Sequence, residues 1–176
     1  MQNLPDQIIE IVSTLPDQDP LVAQRYLERV KEGLLTRDEN NRSHFCVYFL
    51  PYDSKAKKVF IIHHKKANLW LAPGGHVDKN EDILHALNRE VKEELGVDNA
   101  FAESSKPFLL SITPIDNNTQ PCKEHFDIWF LFNTDGSNFN VDSHEFYTAK
   151  WADFDEARTL LTDPANLQAI SLLESK

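Results

Sequence analysis

The chain is short of cysteine, of positive charge and of long apolar runs, and each shortage closes off a class of function. Its two cysteines, Cys46 and Cys122, lie far apart and without metal-ligand spacing. That favours a reducing compartment, here taken as cytoplasmic, over a disulfide scaffold. No apolar stretch nears the ~20 residues that span a bilayer. The opening MQNLPDQIIEIVSTLPDQDP also lacks the basic segment and apolar core of a secretory leader, so a soluble protein with no membrane partner is expected. Only 18 Lys and Arg face 28 Asp and Glu, a formal charge of −10. This argues against a nucleic acid polymer as partner, but not against a small polyanion if a bound cation supplies the positive charge. The seven histidines show no HxxxH or related spacing, so zinc is not expected. No internal repeat or low-complexity tract is evident.

What is present suits one ordinary domain. Of 176 residues 41% are apolar, with 11 Phe and 3 Trp for bulk. Residues 1–40 read as a helical N-terminal extension. Pro5 opens a first helix carrying Ile8, Ile9, Val12 and Leu15 at helical spacing. After the break at 16–20, a second carries Leu21, Val22, Tyr26, Leu27, Val30, Leu34 and Leu35. The main domain is placed at 41–176. Strands are expected at Ser43–Leu50, Lys58–His64, Asn68–Ala72, Phe108–Pro114, His125–Phe132 and around Lys150–Ala152, with turns at 51–54 and 73–75. A helix is expected from about Asp82 to Leu95, capped by Asn80 and stopped by Gly96, and a last helical stretch from Asp155 through Leu160, Leu161 and Leu167. The fold class is therefore α+β, a sandwich with a mixed sheet.

One segment breaks local rules. In GHVDKNEDILHALNREVKEELGV, Leu84, Leu87, Val91 and Leu95 make an apolar stripe, and Glu90, Glu93 and Glu94 fall within an arc of about 100° beside it. The final turns of a helix least tolerate anions. Glu90 also meets Glu93 and Glu94 at i,i+3 and i,i+4, where like charges cost about 0.2–0.5 kcal/mol per pair. Two violations in one place point to a site, and a divalent cation is the simplest relief. Oxygen ligands suit hard ions such as Mg²⁺ or Mn²⁺. Gly74 and Gly75 would let the backbone approach closely.

The residues Gly75, Glu81, Arg89, Glu90, Glu93, Glu94 and Gly96, with Val91 and Val97, resemble a complete Nudix box. The seven fixed positions arise by chance on the order of 10⁻⁹ per start. The wider resemblance runs from about Ser43 to Glu156 and includes Trp70–Gly75. It implies an α/β/α sandwich whose box forms loop, helix and loop. It further implies metal-dependent hydrolysis of a diphosphate bond in a nucleoside diphosphate linked to another group. By the same resemblance Glu90, Glu93 and Glu94 are metal ligands, supported by the Gly75 carbonyl and Glu81, and Arg89 holds a box glutamate in place. Glu145 resembles a downstream loop glutamate that serves as general base or extra ligand, with Glu93 or Glu94 as the competing base. The partner is then a nucleotide-type diphosphate: a triphosphate, an ADP-ribose-like compound or a dinucleotide.

Other readings remain open from the sequence. His64 and Lys66, with His63 and Lys65, form the one basic cluster and either contact a substrate phosphate or solvate a hairpin end. His76 adjoins Gly75 and is a candidate substrate contact. Phe45, Phe49 and Trp129 are expected in the core. The extension either covers part of the pocket or builds a homodimer contact. A non-catalytic module that senses a nucleotide is the alternative from a different class.

Overall fold

The computed structural model describes residues 2–116 and 121–175. Its centre is strand β1 (Ser43–Asp53), whose residues alternate between two apolar layers. Along one edge β1 runs parallel to β6 (Glu124–Asn133), and β6 pairs antiparallel with β5 (Pro107–Pro114). The other edge of β1 is shared. Cys46–Tyr48 pair antiparallel with β4 (Gly74–His76), and the far end pairs with β2 (Lys58–His64). β2 also pairs with β3 (Leu69–Leu71) and β7 (Phe146–Ala152). One mixed sheet of seven strands results among the described residues.

Alternation decides which side chain meets which layer. Phe45, Val47 and Phe49 of β1 join Phe126, Ile128 and Phe130 of β6 in the larger core, covered by α1 (Leu4–Thr14), α2 (Pro20–Glu32) and α3 (Ile83–Leu95). Leu50, Val59, Ile61 and Trp129 face α4 (Phe154–Leu160) and α5 (Pro164–Glu174) on the opposite side. The α/β/α sandwich is present, and so is the helical N-terminal extension. Its helices are not peripheral. Ile8 and Tyr26 are fully buried, the Tyr26 hydroxyl lies 2.9 and 2.7 Å from the Ser111 and Asp127 carbonyls, and the Gln7 side chain accepts from the Ile83 N–H that opens α3.

Several boundaries differ from expectation for identifiable reasons. Asp82, not Asn80, caps α3. Its carboxylate accepts from His85 N–H, while Asn80 takes a left-handed turn at φ 69°. Gly33 ends α2 before Leu34 and Leu35. Leu34 is exposed, and Leu35 enters the core as the carbonyl that accepts from Phe45 N–H. Gly74–Gly75 do not merely stop a strand; they belong to β4, which sequence patterning misses because it has no side-chain alternation to show. β1 continues through the expected turn to Asp53, and β7 begins at Phe146 rather than near Lys150. The last helical stretch is two helices, divided at Leu161 by a bridge to Trp70 and restarted by the Asp163 cap with Pro164 behind it.

Candidate active site

The box helix α3 stands against β4 because Gly75 has no side chain. A Cβ there would lie 2.3 Å from Glu90 Oε1, so the carboxylate rests on the Gly75 backbone. Gly74 is constrained differently. Its φ is +147°, and a Cβ would meet the Val47 carbonyl at 2.4 Å. The helix ends at Gly96, left-handed at φ 69°, whose N–H returns to the Lys92 carbonyl. Beyond it the chain folds back, with Asn140 N–H donating to the Leu95 carbonyl and Asp142 N–H to that of Glu94. This return carries Glu145 to the same cleft.

Arg89 is the organising cation. Its Nε and one terminal nitrogen grip both oxygens of Glu81 at 2.7 and 2.9 Å. The other terminal nitrogen reaches Glu90 Oε1 at 2.7 Å and Glu93 Oε2 at 3.1 Å, and the fork also donates to the His76 carbonyl at 2.8 Å. Hydrogen bonding to Glu81 leads the effects that tighten Arg89's hold on its proton. Burial pushes the Glu81 carboxyl up, but the hydrogen bonds from Arg89 and the Asp78 N–H outweigh it and hold it below the usual range. With both oxygens engaged, Glu81 serves as the anchor of Arg89.

The three box glutamates do not share one environment at the core's rim. Glu93 is exposed, Glu90 nearly buried, and Glu94 is 3% exposed with an Oε2 that has no partner among the described residues. Burial raises Glu90 to about 7, against the pull of Arg89. Glu94 is also raised well above the usual carboxylate range by burial, then by the charges of Glu90 and Glu145, although the Gly74 backbone hydrogen bond opposes this. An unpaired buried carboxylate beside a second one is costly unless a cation joins them. The all-oxygen donor set of Glu90, Glu93 and Glu94 fits a hard divalent ion.

Gly75, Arg89, Glu90, Glu93 and Glu145 border a cleft of about 740 Å³, large enough for a nucleotide, with Glu94 buried behind it. The loop bearing Glu145 is tied to the end of β2, where Lys65 N–H donates to the Glu145 carbonyl and Lys65 Nζ to that of Ser143. His64 Nδ1 accepts from the N–H groups of Lys66 and Ala67 in the hairpin turn, and His64, Lys66 and His76 all line the cleft. No residue of α1 or α2 lines it among the described residues; the extension packs on the α3 layer instead. Phe45 and Phe49 are core as expected. Trp129 is buried too, stacked on Tyr48 at 4.7 Å with its N–H donating to Ser111 Oγ.

Three features escaped the linear reading. Asp127, 1% exposed in a largely apolar strand, accepts from Ser111 and Thr113 through Oδ2, has an Oδ1 without a partner among the described residues, and is raised by burial to about 7. A charge inside HFDIWFLF was the available signal. Asn166, from α5, accepts from Ala72 N–H at 2.6 Å and also borders the cleft. The third is a cluster: His76 gathers with His44, His125 and Cys46, side chains from three strands that no chain spacing could connect. Burial, then the neighbouring imidazoles, lowers His76 to about 2, and burial lowers His125 to about 3.

Comparison with known proteins agrees with this architecture. The 8-oxo-dGTP diphosphatase of Buchnera aphidicola subsp. Acyrthosiphon pisum is 55% identical over 42 residues, 23% of this chain and 34% of that protein. The RNA pyrophosphohydrolase of Campylobacter jejuni is 40% identical over 55 residues, 31% and 35% of the two chains. The chain thus spans about a third of the length of these curated relatives. The crystal structure of the MutT NUDIX hydrolase from Burkholderia pseudomallei superposes with a TM-score of 0.61 at 20% identity, covering 75% of this chain and 98% of that one. The family model described as NUDIX domain matches residues 40–173, from the loop before β1 to the last turn of α5, and with the box built as above the chain belongs to the NUDIX family.

Proposed function

We propose that this protein hydrolyses the diphosphate bond of a nucleoside diphosphate linked to another moiety, with Mg²⁺ or Mn²⁺ as cofactor. The observation that carries this reading is the buried Glu94 carboxylate, whose Oε2 has no partner among the described residues, close to Glu90, which rests on the Gly75 backbone at the cleft. Glu90, Glu93, Glu94 and the Gly75 carbonyl would hold the ion. When bound, it polarises the phosphoryl oxygens and offsets charge on the leaving phosphate. Arg89 positions Glu90 and Glu93, and Glu81 fixes Arg89. Glu145 accepts the proton of the attacking water: it is solvent-facing, whereas Glu90 and Glu94 are buried and Glu93 already accepts from Arg89. Water oxygen joins one phosphorus, the bridging P–O bond breaks, and two phosphate-bearing products leave. Lys66 is a candidate phosphate contact at the cleft wall.

The relatives' names, 8-oxo-dGTP diphosphatase and RNA pyrophosphohydrolase, favour nucleotides as the substrate class. The test is product release with Mg²⁺ across nucleoside triphosphates, ADP-ribose-like compounds and dinucleoside polyphosphates. Wild type is compared with Glu93→Gln and Glu94→Gln. Metal-dependent turnover lost in both variants supports the enzyme; binding without turnover on every compound refutes it.

A further inference from the structure

We propose that His44, Cys46, His76 and His125 form a second metal site, separate from the box carboxylates, for a late first-row divalent ion of the Zn²⁺ class. Strand pairing builds it. Cys46 is opposite His76 across the β1–β4 pair, and His44 is opposite His125 across the β1–β6 pair. Residues 44 and 46 share one face of β1, so all four side chains rise from the same side of three adjacent strands. One ligand atom from each lies within 4.8 Å of the others. A closed tetrahedral N₃S site needs separations of about 3.3–3.6 Å, so ligand-atom movements of about 1 Å would close it.

The rings already converge as ligands do. An imidazole bound through one nitrogen has its centre about 3.2 Å from the ion, and three at tetrahedral angles have centres about 5.2 Å apart. The three ring centres here are 4.8, 4.9 and 5.1 Å apart. Edge-on stacking alone gives similar separations, but it does not account for the state of the ring nitrogens. His125 Nε2 is buried and has no hydrogen-bond partner among the described residues. His44 Nδ1 lies 2.8 Å from the Asn40 carbonyl, which can only accept. The proton therefore sits on Nδ1 and Nε2 presents a lone pair, the arrangement by which metal-binding histidines are oriented.

Nitrogen and sulfur donors select against Mg²⁺ and Mn²⁺, so the two sites would take different ions. Binding releases the Cys46 thiol proton to solvent and leaves a thiolate on the ion. Occupied, the site would tie β4 to β6 across β1 and brace the Gly74–Gly75 segment on which Glu90 rests.

Chelator-stripped, reduced full-length protein, with excess Mg²⁺ present, is titrated with Co²⁺. One Co²⁺ per chain is expected, with intense four-coordinate visible bands and a near-ultraviolet thiolate-to-cobalt charge-transfer band. Cys46→Ser should lose the charge-transfer band, and His125→Gln should weaken binding more than tenfold. Cys122→Ser, a thiol 4.0 Å from His44 Nε2, and the double variant Glu90→Gln/Glu94→Gln should both keep the band. In wild type, Zn²⁺ at a hundred times its Kd should raise Tm by about 5–10 °C, a readout independent of turnover. Absence of the band in wild type, its survival in Cys46→Ser, or its loss in the glutamate double variant overturns the proposal.

Discussion

Gly75→Ala isolates the close approach on which the carboxylate site depends. The new Cβ would sit 2.3 Å from Glu90 Oε1 and 2.5 Å from its Cδ, against an ordinary contact of 3.4 Å or more. The Glu90 carboxylate must therefore retreat by about 1 Å, and misplacement on that scale costs on the order of 10²-fold in rate. The backbone itself does not object, since Gly75 is not among the positive-φ glycines. What yields is the end of a side chain, so the stability loss should stay at about 1–2 kcal/mol, a Tm shift of roughly 2–8 °C. Gly74→Ala is the control with the opposite balance. Its Cβ would strike the Val47 carbonyl at 2.4 Å in a φ of +147°, and neither can move without breaking the β1–β4 pairing. The assay is hydrolysis of the best nucleotide from the substrate panel, with an Mn²⁺ binding isotherm and Tm for each variant. The expected pattern is a Gly75→Ala protein that is folded but about a hundredfold slower with weakened Mn²⁺ binding, and a Gly74→Ala protein with at least twice the Tm loss. The reasoning is refuted if Gly75→Ala stays within threefold of wild type, or if it melts as early as Gly74→Ala.

Further outcomes follow from the same geometry. Glu94→Gln removes a buried carboxyl that is costly to ionise, so it should abolish metal-dependent turnover while raising the Tm of the metal-free protein at pH 8, measured by thermal melts with and without chelator. The raised carboxyls also set a pH dependence: the native state holds protons on Glu90 (to about 7) and Glu94 that the unfolded chain releases near 4.5. Metal-free stability should then fall as pH rises from about 4.5 through 7, by up to about 3 kcal/mol for Glu90 alone, and millimolar Mg²⁺ should flatten the slope in a pH series of urea melts. Arg89→Lys should lose turnover at least tenfold without rescue, because an ammonium cannot grip Glu81, Glu90, Glu93 and the His76 carbonyl together; a kinetic comparison with Arg89→Ala checks it. Tyr26→Ala should cost about 3–5 kcal/mol in a denaturant titration, because α2 is part of the larger core.

The box was legible because its chemistry is local in the chain. One helix with fixed spacing sets Glu90, Glu93 and Glu94 relative to Arg89, and the dipole conflict marks them whatever surrounds the helix. The limits appear where a partner comes from elsewhere. Helical angle alone put the three glutamates in one place at the core's edge. Only the packing of β4 and the return through Asn140–Asp142 made Glu94 buried, Glu90 nearly so and Glu93 exposed. From sequence alone the extension is placed outside the main domain because its two helices are amphipathic and bounded by breakers. Ile8 and Tyr26 show that its apolar faces complete the α3 layer.

The sequence by itself determined the box helix and its Gly96 stop, the strand alternation that yields an α/β/α sandwich, and the clustering of acidic side chains on that helix. These depend on periods of 3.6 and 2 residues and on charges a few positions apart. Tertiary structure alone decided that Asp127 lies unexposed at the cleft, that Asn166 reaches it from α5, and that His44, Cys46, His76 and His125 meet on one face of three strands. The physical reason is that strand register joins residues dozens of positions apart, and hydrogen bonds between backbones, which carry no side-chain signature, set that register.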